Sequence, residues 1–290
     1  MTIDIAEHGP HGLIGGTSGS GKTEFLKTLF VSLCLENHPD DLSIVIVDFK
    51  GGVDHEHSRL LPHVIDVATN LDEDRFARTV RLLDAEQRRR QGLLSSVGAA
   101  NIDAYRAARL TDPSLPPVPR LLVSDGGRQH LKNLQSVTRI GRALGVHLLL
   151  VTQTFQGQLP TQVEANAALR ISLRVQTPTD SKMVLGSPAA ASILDSHKGR
   201  AYARFHGRDL IEFQTARVAG RRRDLMAGST PVSVRPAPFP ALASLSPAGG
   251  ADDVPVEQTD MWSIIQALDE AVRLDGWQGS AVPWPSSLPG

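Results

Sequence analysis

The sequence predicts an α/β domain: a mostly parallel sheet flanked by helices, with a β-hairpin added at its end. Three observations carry that prediction. Short apolar runs alternate with longer stretches whose apolar residues recur three and four apart, from residue 1 to about 220, as strands separated by helices do. The runs Ile44–Val47 and Leu148–Val151 are apolar at every position, as expected of strands covered on both faces. A glycine-rich turn stands between the first apolar run and the first helical stretch.

The strands are expected at Gly12–Ile14, Ser43–Asp48, Leu121–Asp125, His147–Thr152 and Arg170–Val175. Phe25, Leu29 and Leu33 mark one helix and Phe76, Val80 and Leu83 another. Residues 199–218 alternate and turn at His206-Gly207, which predicts the hairpin. Three segments follow: a domain over 1–222, a linker rich in Pro, Ala and Ser over 223–258, and a tail over 259–290. Within the tail, Thr259–Leu274 reads as an amphipathic helix with Trp262, Ile265, Leu268 and Val272 on one stripe, and the closing AVPWPSSLPG as extended chain. Trp262, Trp277 and Trp284 are expected to anchor this tail by packing.

A chain of 290 residues that is 41% hydrophobic can bury a sizeable core. Lys plus Arg number 30 against 31 Asp plus Glu, so the formal net charge is -1. That balance lacks the basic surplus of a dedicated nucleic-acid binder, although a local basic stripe would escape the count. The single cysteine, Cys34, lies in an apolar stretch and suits a reducing compartment. MTIDIAEHGP has neither a basic nor an apolar leader region, and no uncharged apolar run reaches the roughly 18 residues of a membrane span. The expected location is cytoplasmic.

The strongest motif is Gly16, Thr17, Ser18, Gly19, Ser20, Gly21, Lys22 and Thr23, a full G-x-x-x-x-G-K-[ST] match placed between a strand and a helix. The glycines let backbone N–H groups approach phosphates, and the helix that opens there adds the positive end of its dipole. Lys22 is positioned to reach the β- and γ-phosphates and the Thr23 hydroxyl to ligate Mg²⁺. These residues predict a nucleoside triphosphate site.

Such a site needs an Asp at the end of a buried strand to hold Mg²⁺ through water. Leu121–Asp125 supplies it; Asp48, ending the second strand, is the alternative. Hydrolytic members of the multi-strand motor class follow that Asp with a Glu that polarises the attacking water. Here Gly126 and Gly127 follow, and no carboxylate occurs before Glu164. Loss of such a group costs orders of magnitude in rate, so weak or absent turnover is expected.

Four strings in order, GPHGLIGGTSGSGKTEFLKTL, IVIVDFKGG, LPHVIDVATNL and IGRALGVHLLLVTQ, resemble FtsK/SpoIIIE motor domains over about residues 9–220. DFKGG and LPHV are more similar to the EccC-type ATPases of type VII secretion, and TDMWSIIQALDEAV with PWPSSLP resembles the connector between their successive modules. The resemblance implies a RecA-like P-loop NTPase fold, ATP and Mg²⁺ as ligands, and a ring, a hexamer, of homologous ATPase modules. Small helical secreted proteins would be the cargo, and the membrane would be met only through a larger complex. By position Gln153 matches the family's polar sensor of the γ-phosphate, which makes Lys22, Asp125 and Gln153 the catalytic set. Gly126 departs from the family's usual Glu, and Ser181-Lys182 stands where the DNA-pumping members have Ser-Arg. Two other readings stand beside the secretion module: a DNA translocase of the chromosome-partition branch, and a degenerate scaffolding copy.

Arg139, Arg142, Arg170 and Arg174 are candidates for an arginine acting across a ring interface, each outweighed by a surface or packing role. Asp54, His55, Glu56, His57 and His63 match no zinc spacing and read as a solvated loop. Arg88, Arg89 and Arg90 are expected on a solvated helix face beside Asp84 and Glu86, and Arg221, Arg222 and Arg223 stay open as phosphate contacts.

Overall fold

The computed structural model describes residues 3–48, 57–69, 73–125, 135–153, 166–205, 209–221, 256–280 and 282. In chain order the elements are α1 (Ile5–His8), β1 (His11–Gly15), α2 (Lys22–Glu36), β2 (Leu42–Asp48), β3 (Val64–Thr69), α3 (Glu73–Ser96), α4 (Ile102–Thr111) and β4 (Arg120–Asp125). They continue with α5 (Gln135–Leu144), β5 (Val146–Thr152), β6 (Ala167–Leu173), α6 (Pro178–Leu185), β7 (Arg200–Phe205), β8 (Ile211–Gln214) and α7 (Asp260–Asp275). The strands form one sheet in the order β3-β2-β4-β5-β1-β6-β7-β8. The first six in that order pair in parallel, and β7 and β8 add antiparallel at the edge.

The apolar runs divide by parity between two cores, because successive side chains point to opposite faces of a strand. Leu13, Val45, Val47, Leu121, Val123, Leu148 and Leu150 face one core, with Tyr105 and Leu83 from the helices. Ile14, Ile44, Ile46, Leu122, Leu149 and Val151 face the other, with Phe25, Leu26 and Phe30 of α2. Helices on both faces therefore explain why the central positions of these strands are apolar on both sides.

Five strands lie where expected, within a few residues. The fifth, β6, begins and ends earlier than Arg170–Val175, because the Val175 N–H turns away to the Ala190 carbonyl at 3.3 Å. Strand β3 was not expected: Asp66 interrupts its apolar run, and as the edge strand it is covered incompletely. The Asp66 carboxylate accepts from the Thr79 hydroxyl of α3 at 3.1 Å.

Arg90 corrects the expected solvated face. It is 0% exposed and donates to Glu86 Oε1 at 2.7 Å and to the carbonyls of Leu144 and Gly145 at 2.9 and 3.2 Å. The guanidinium thus caps the end of α5, where orphan carbonyls need donors. Burial alone would raise the Glu86 carboxyl, but hydrogen bonds and charge from Arg89 and Arg90 hold it below the ordinary carboxylate range. Cys34 is buried, and that burial pushes its thiol up to about 12. Among the described residues no helix is long and apolar enough to cross a membrane.

The tail helix α7 forms where expected, and Thr259 caps it: its hydroxyl accepts from the Trp262 N–H at 3.2 Å. Met261 and Ile265 are buried against the α2 side of the sheet, with Ile264 and Leu268 beside them. Trp277 Nε1 donates to Asp40 at 3.1 Å and Val282 is buried, so the described part of the tail packs on the domain. The turn at His206-Gly207, Trp284 and most of the linker lie outside the described residues.

Candidate functional site

Strand β1 delivers its chain to the carboxyl edge of the sheet and α2 leaves from there, so residues 16–21 must reverse direction over a few ångströms. Gly19 and Gly21 do so at φ +75° and +95°, a region that strains any residue with a Cβ. A Cβ on Gly16 would lie 2.8 Å from the Ser20 Oγ. The loop is fastened at both ends of its arc. The Thr17 N–H and hydroxyl both donate to the Arg174 carbonyl, at 3.0 and 3.1 Å, and the Ser20 N–H donates to the Thr17 carbonyl at 3.2 Å.

Lys22 opens α2 and is buried, 5% exposed. Its ammonium donates to the carbonyls of Gly16 and Thr152, each at 3.1 Å. Thr23, the next residue, is half-buried in the first turn of the same helix. A positive charge thus sits inside the arc of backbone, at the positive end of a fifteen-residue helix, braced by neutral carbonyl dipoles.

The strand order fixes the rest. Strand β5 lies between β1 and β4, with Gly15 opposite Thr152 and Leu150 opposite Asp125. Gln153 follows β5 directly, and its Oε1 accepts from the Ser18 hydroxyl of the loop at 3.3 Å. Asp125 ends β4, so its backbone lies two interstrand spacings, about 10 Å, from β1. Asp48 ends β2, one strand farther out. The side chains of Asp125 and Asp48, and residues 126–134, lie outside the described residues. The expected residues therefore gather along one edge in the sequence Gly16–Thr23, Gln153, Asp125. Two partners of the loop were invisible to sequence reasoning, because they are the main-chain carbonyls of Thr152 and Arg174, which any residue would carry.

The other candidates separate. Arg170 donates to the carbonyls of Ala167 and Val184, and Arg174 pairs with Asp195 at 2.7 Å. Arg142 is exposed on α5, and the Arg139 side chain lies outside the described residues. Ser181 is buried and ties the chain internally, donating to the Ser187 carbonyl at 2.6 Å and accepting from the Ala190 N–H at 3.0 Å, whereas Lys182 is exposed. His63 is buried with Nε2 2.7 Å from the Asn37 carbonyl, and burial lowers its pKa. No group of three metal-binding side chains occurs among the described residues; Asp54, His55 and Glu56 lie outside them.

Comparison with known proteins agrees with this layout. A family model described as FtsK/SpoIIIE family matches residues 1–206. The chain is 35% identical over 227 residues to the type VII secretion system protein EssC of Staphylococcus aureus (strain Mu50), covering 74% of this chain and 15% of that protein. It is 36% identical over 227 residues to the ESX secretion system protein EccC of Geobacillus thermodenitrificans, with the same coverage of 74% and 15%. The cytoplasmic domain of the Thermomonospora curvata type VII secretion ATPase EccC superposes with a TM-score of 0.78 at 28% identity, over 100% of this chain and 31% of that one. The fold is therefore that of RecA-like P-loop ATPase modules, and the chain spans 15% of the length of the curated relatives it matches.

Proposed function

The chain belongs to the FtsK/SpoIIIE family, and we propose that it is one ATP-binding motor module of a type VII protein secretion system, with weak or absent hydrolysis. The observation that carries this reading is the Lys22 ammonium, buried at the mouth of α2 and held by two carbonyls inside the loop. A triphosphate offers that ammonium full negative charge in place of partial dipoles, and the N–H groups of the loop and the first helical turn supply further donors. Thr23, in that first turn, and Asp125, at the end of β4, are hard oxygen donors on either side of Gln153, a set that suits Mg²⁺. Mg²⁺ would neutralise charge on the phosphates there, Thr23 and Asp125 would orient it, and Gln153 would read the γ-phosphate.

Gly126 supports the low turnover, since it offers no carboxylate to polarise water beside Asp125. The partners proposed are homologous modules in a ring and small helical secreted proteins; similarity to secretion proteins and the absence of a basic surplus favour these over DNA. Titration with ATP and Mg²⁺, run beside a turnover assay, tests the reading: the expected result is binding with little hydrolysis. Robust hydrolysis by the unmodified chain would contradict the role given to Gly126, and absence of binding would end the proposal. Gly126→Glu is expected to raise turnover by at least about tenfold, and an unchanged rate would show that the missing carboxylate is not what limits it.

A further inference from the structure

The loop has a further support, from the hairpin, that the motif does not announce. Gly199, immediately before β7, is buried and adopts φ +80°. Its N–H donates to the Ser20 carbonyl of the phosphate loop at 2.9 Å, and its own carbonyl accepts from the Thr215 N–H at 2.9 Å. Contact is close on both sides. A Cβ on Gly21 would lie 2.9 Å from the Gly199 nitrogen, and a Cβ on Gly199 would lie 2.5 Å from the Thr215 Oγ1 and 2.9 Å from the Gln214 Nε2. The chain leaving β8 then runs along α2. The Thr28 hydroxyl donates to the Ala216 carbonyl at 2.9 Å, and Arg217 pairs with Glu24 at 3.3 Å.

The hairpin therefore grips both the loop and the first turns of the helix that carry Lys22 and Thr23. We infer that Gly199 is a positioning residue for the phosphate loop, and that nucleotide loading and the placement of the β7–β8 hairpin are coupled through the backbone path Ser20–Gly199–Thr215. The inference rests on the ATP-binding reading above and adds to it a route by which the edge of the sheet responds to occupancy. The physical reason is that the loop must shift by only tenths of an ångström to misplace its N–H donors, and no side chain between Gly199 and the loop can absorb that shift.

The test compares ATP affinity, in Mg²⁺, of the unmodified chain, Gly199→Ala, and Gly199→Ala combined with Thr215→Ala, with thermal unfolding of each measured without nucleotide. Gly199→Ala is expected to weaken ATP about tenfold, more than its nucleotide-free stability change predicts. Thr215→Ala removes the Oγ1 that the new Cβ meets and is expected to restore part of the loss. Equal ATP affinity for the unmodified chain and Gly199→Ala would overturn the inference while leaving the proposed function standing. Failure of the unmodified chain to bind ATP would overturn both. If Gly199→Ala does not fold, amide exchange on the unmodified chain decides: ATP should slow the Gly199 and Thr215 amides together with those of Gly19 and Gly21. Slowing confined to Gly19 and Gly21 would overturn the coupling.

Discussion

At the amino edge of the parallel strands the described polar side chains are tied to structural partners, whereas at the carboxyl edge a loop of backbone groups, the Lys22 ammonium and the Ser18–Gln153 pair gather at one mouth. On the amino side, His11 Nδ1 accepts from the Leu148 N–H at 3.0 Å and His147 Nδ1 pairs with the Pro10 carbonyl at 3.0 Å. Arg120 pairs with Asp103, and Arg90 is closed in by Glu86 and two helix-end carbonyls. On the carboxyl side Lys22 rests on the carbonyls of Gly16 and Thr152. Both edges bury charge. At the carboxyl edge the Lys22 ammonium rests on two carbonyls that a triphosphate would displace under the proposed function, whereas at the amino edge Arg90 is matched by the Glu86 carboxylate.

The comparison breaks most visibly if the amino edge is disturbed. Glu86→Ala leaves the buried Arg90 guanidinium without its carboxylate and is expected to cost about 3–5 kcal/mol by urea unfolding, with ATP affinity of the folded protein retained. A stability loss under 1 kcal/mol would mean that Arg90 finds water.

Acid tests the same edge. Burial first, then the charge of Arg120, push the His147 pKa down to about 4 from 6.5. Its folded pKa is depressed, so the unfolded chain binds more protons between these two values, and stability falls as pH drops from about 6.5 to about 4. Glu86, also depressed, loses its contribution in the acid range in the same direction. The His147 share approaches about 3 kcal/mol at the lower limit, and His147→Gln should flatten the slope of stability against pH across this window.

At the carboxyl edge the expectation reverses. Lys22→Ala should weaken ATP about a hundredfold and leave the unfolding midpoint nearly unchanged, because removing a buried charge relieves a desolvation cost that offsets the two hydrogen bonds lost. An unchanged ATP affinity would remove the contrast between the edges. Thr259→Ala, remote from both, removes the α7 cap and should cost about 1 kcal/mol without touching ATP affinity.

Much of this molecule was legible in advance. The double-sided apolar runs specified buried parallel strands, and the loop from Gly16 to Thr23 specified its own turn, because glycine and helix-start chemistry act locally. Local reasoning failed where the partner was distant. Asp66 hid β3, since an edge strand tolerates a carboxylate that α3 can satisfy. Arg90 read as solvated because its helix neighbours are charged, and only the arrival of Leu144 and Gly145 shows that it is enclosed.

The sequence by itself determined the two-faced sheet, the phosphate loop and the tail helix, since each follows from periodicity or from residues adjacent in the chain. Tertiary structure alone decided which carbonyls hold Lys22, that Gln153 touches the loop through Ser18, and that Gly199 braces it from the hairpin. Those contacts join residues more than a hundred positions apart, or backbone groups that every residue shares. No local pattern encodes such pairings; strand order and register bring them together.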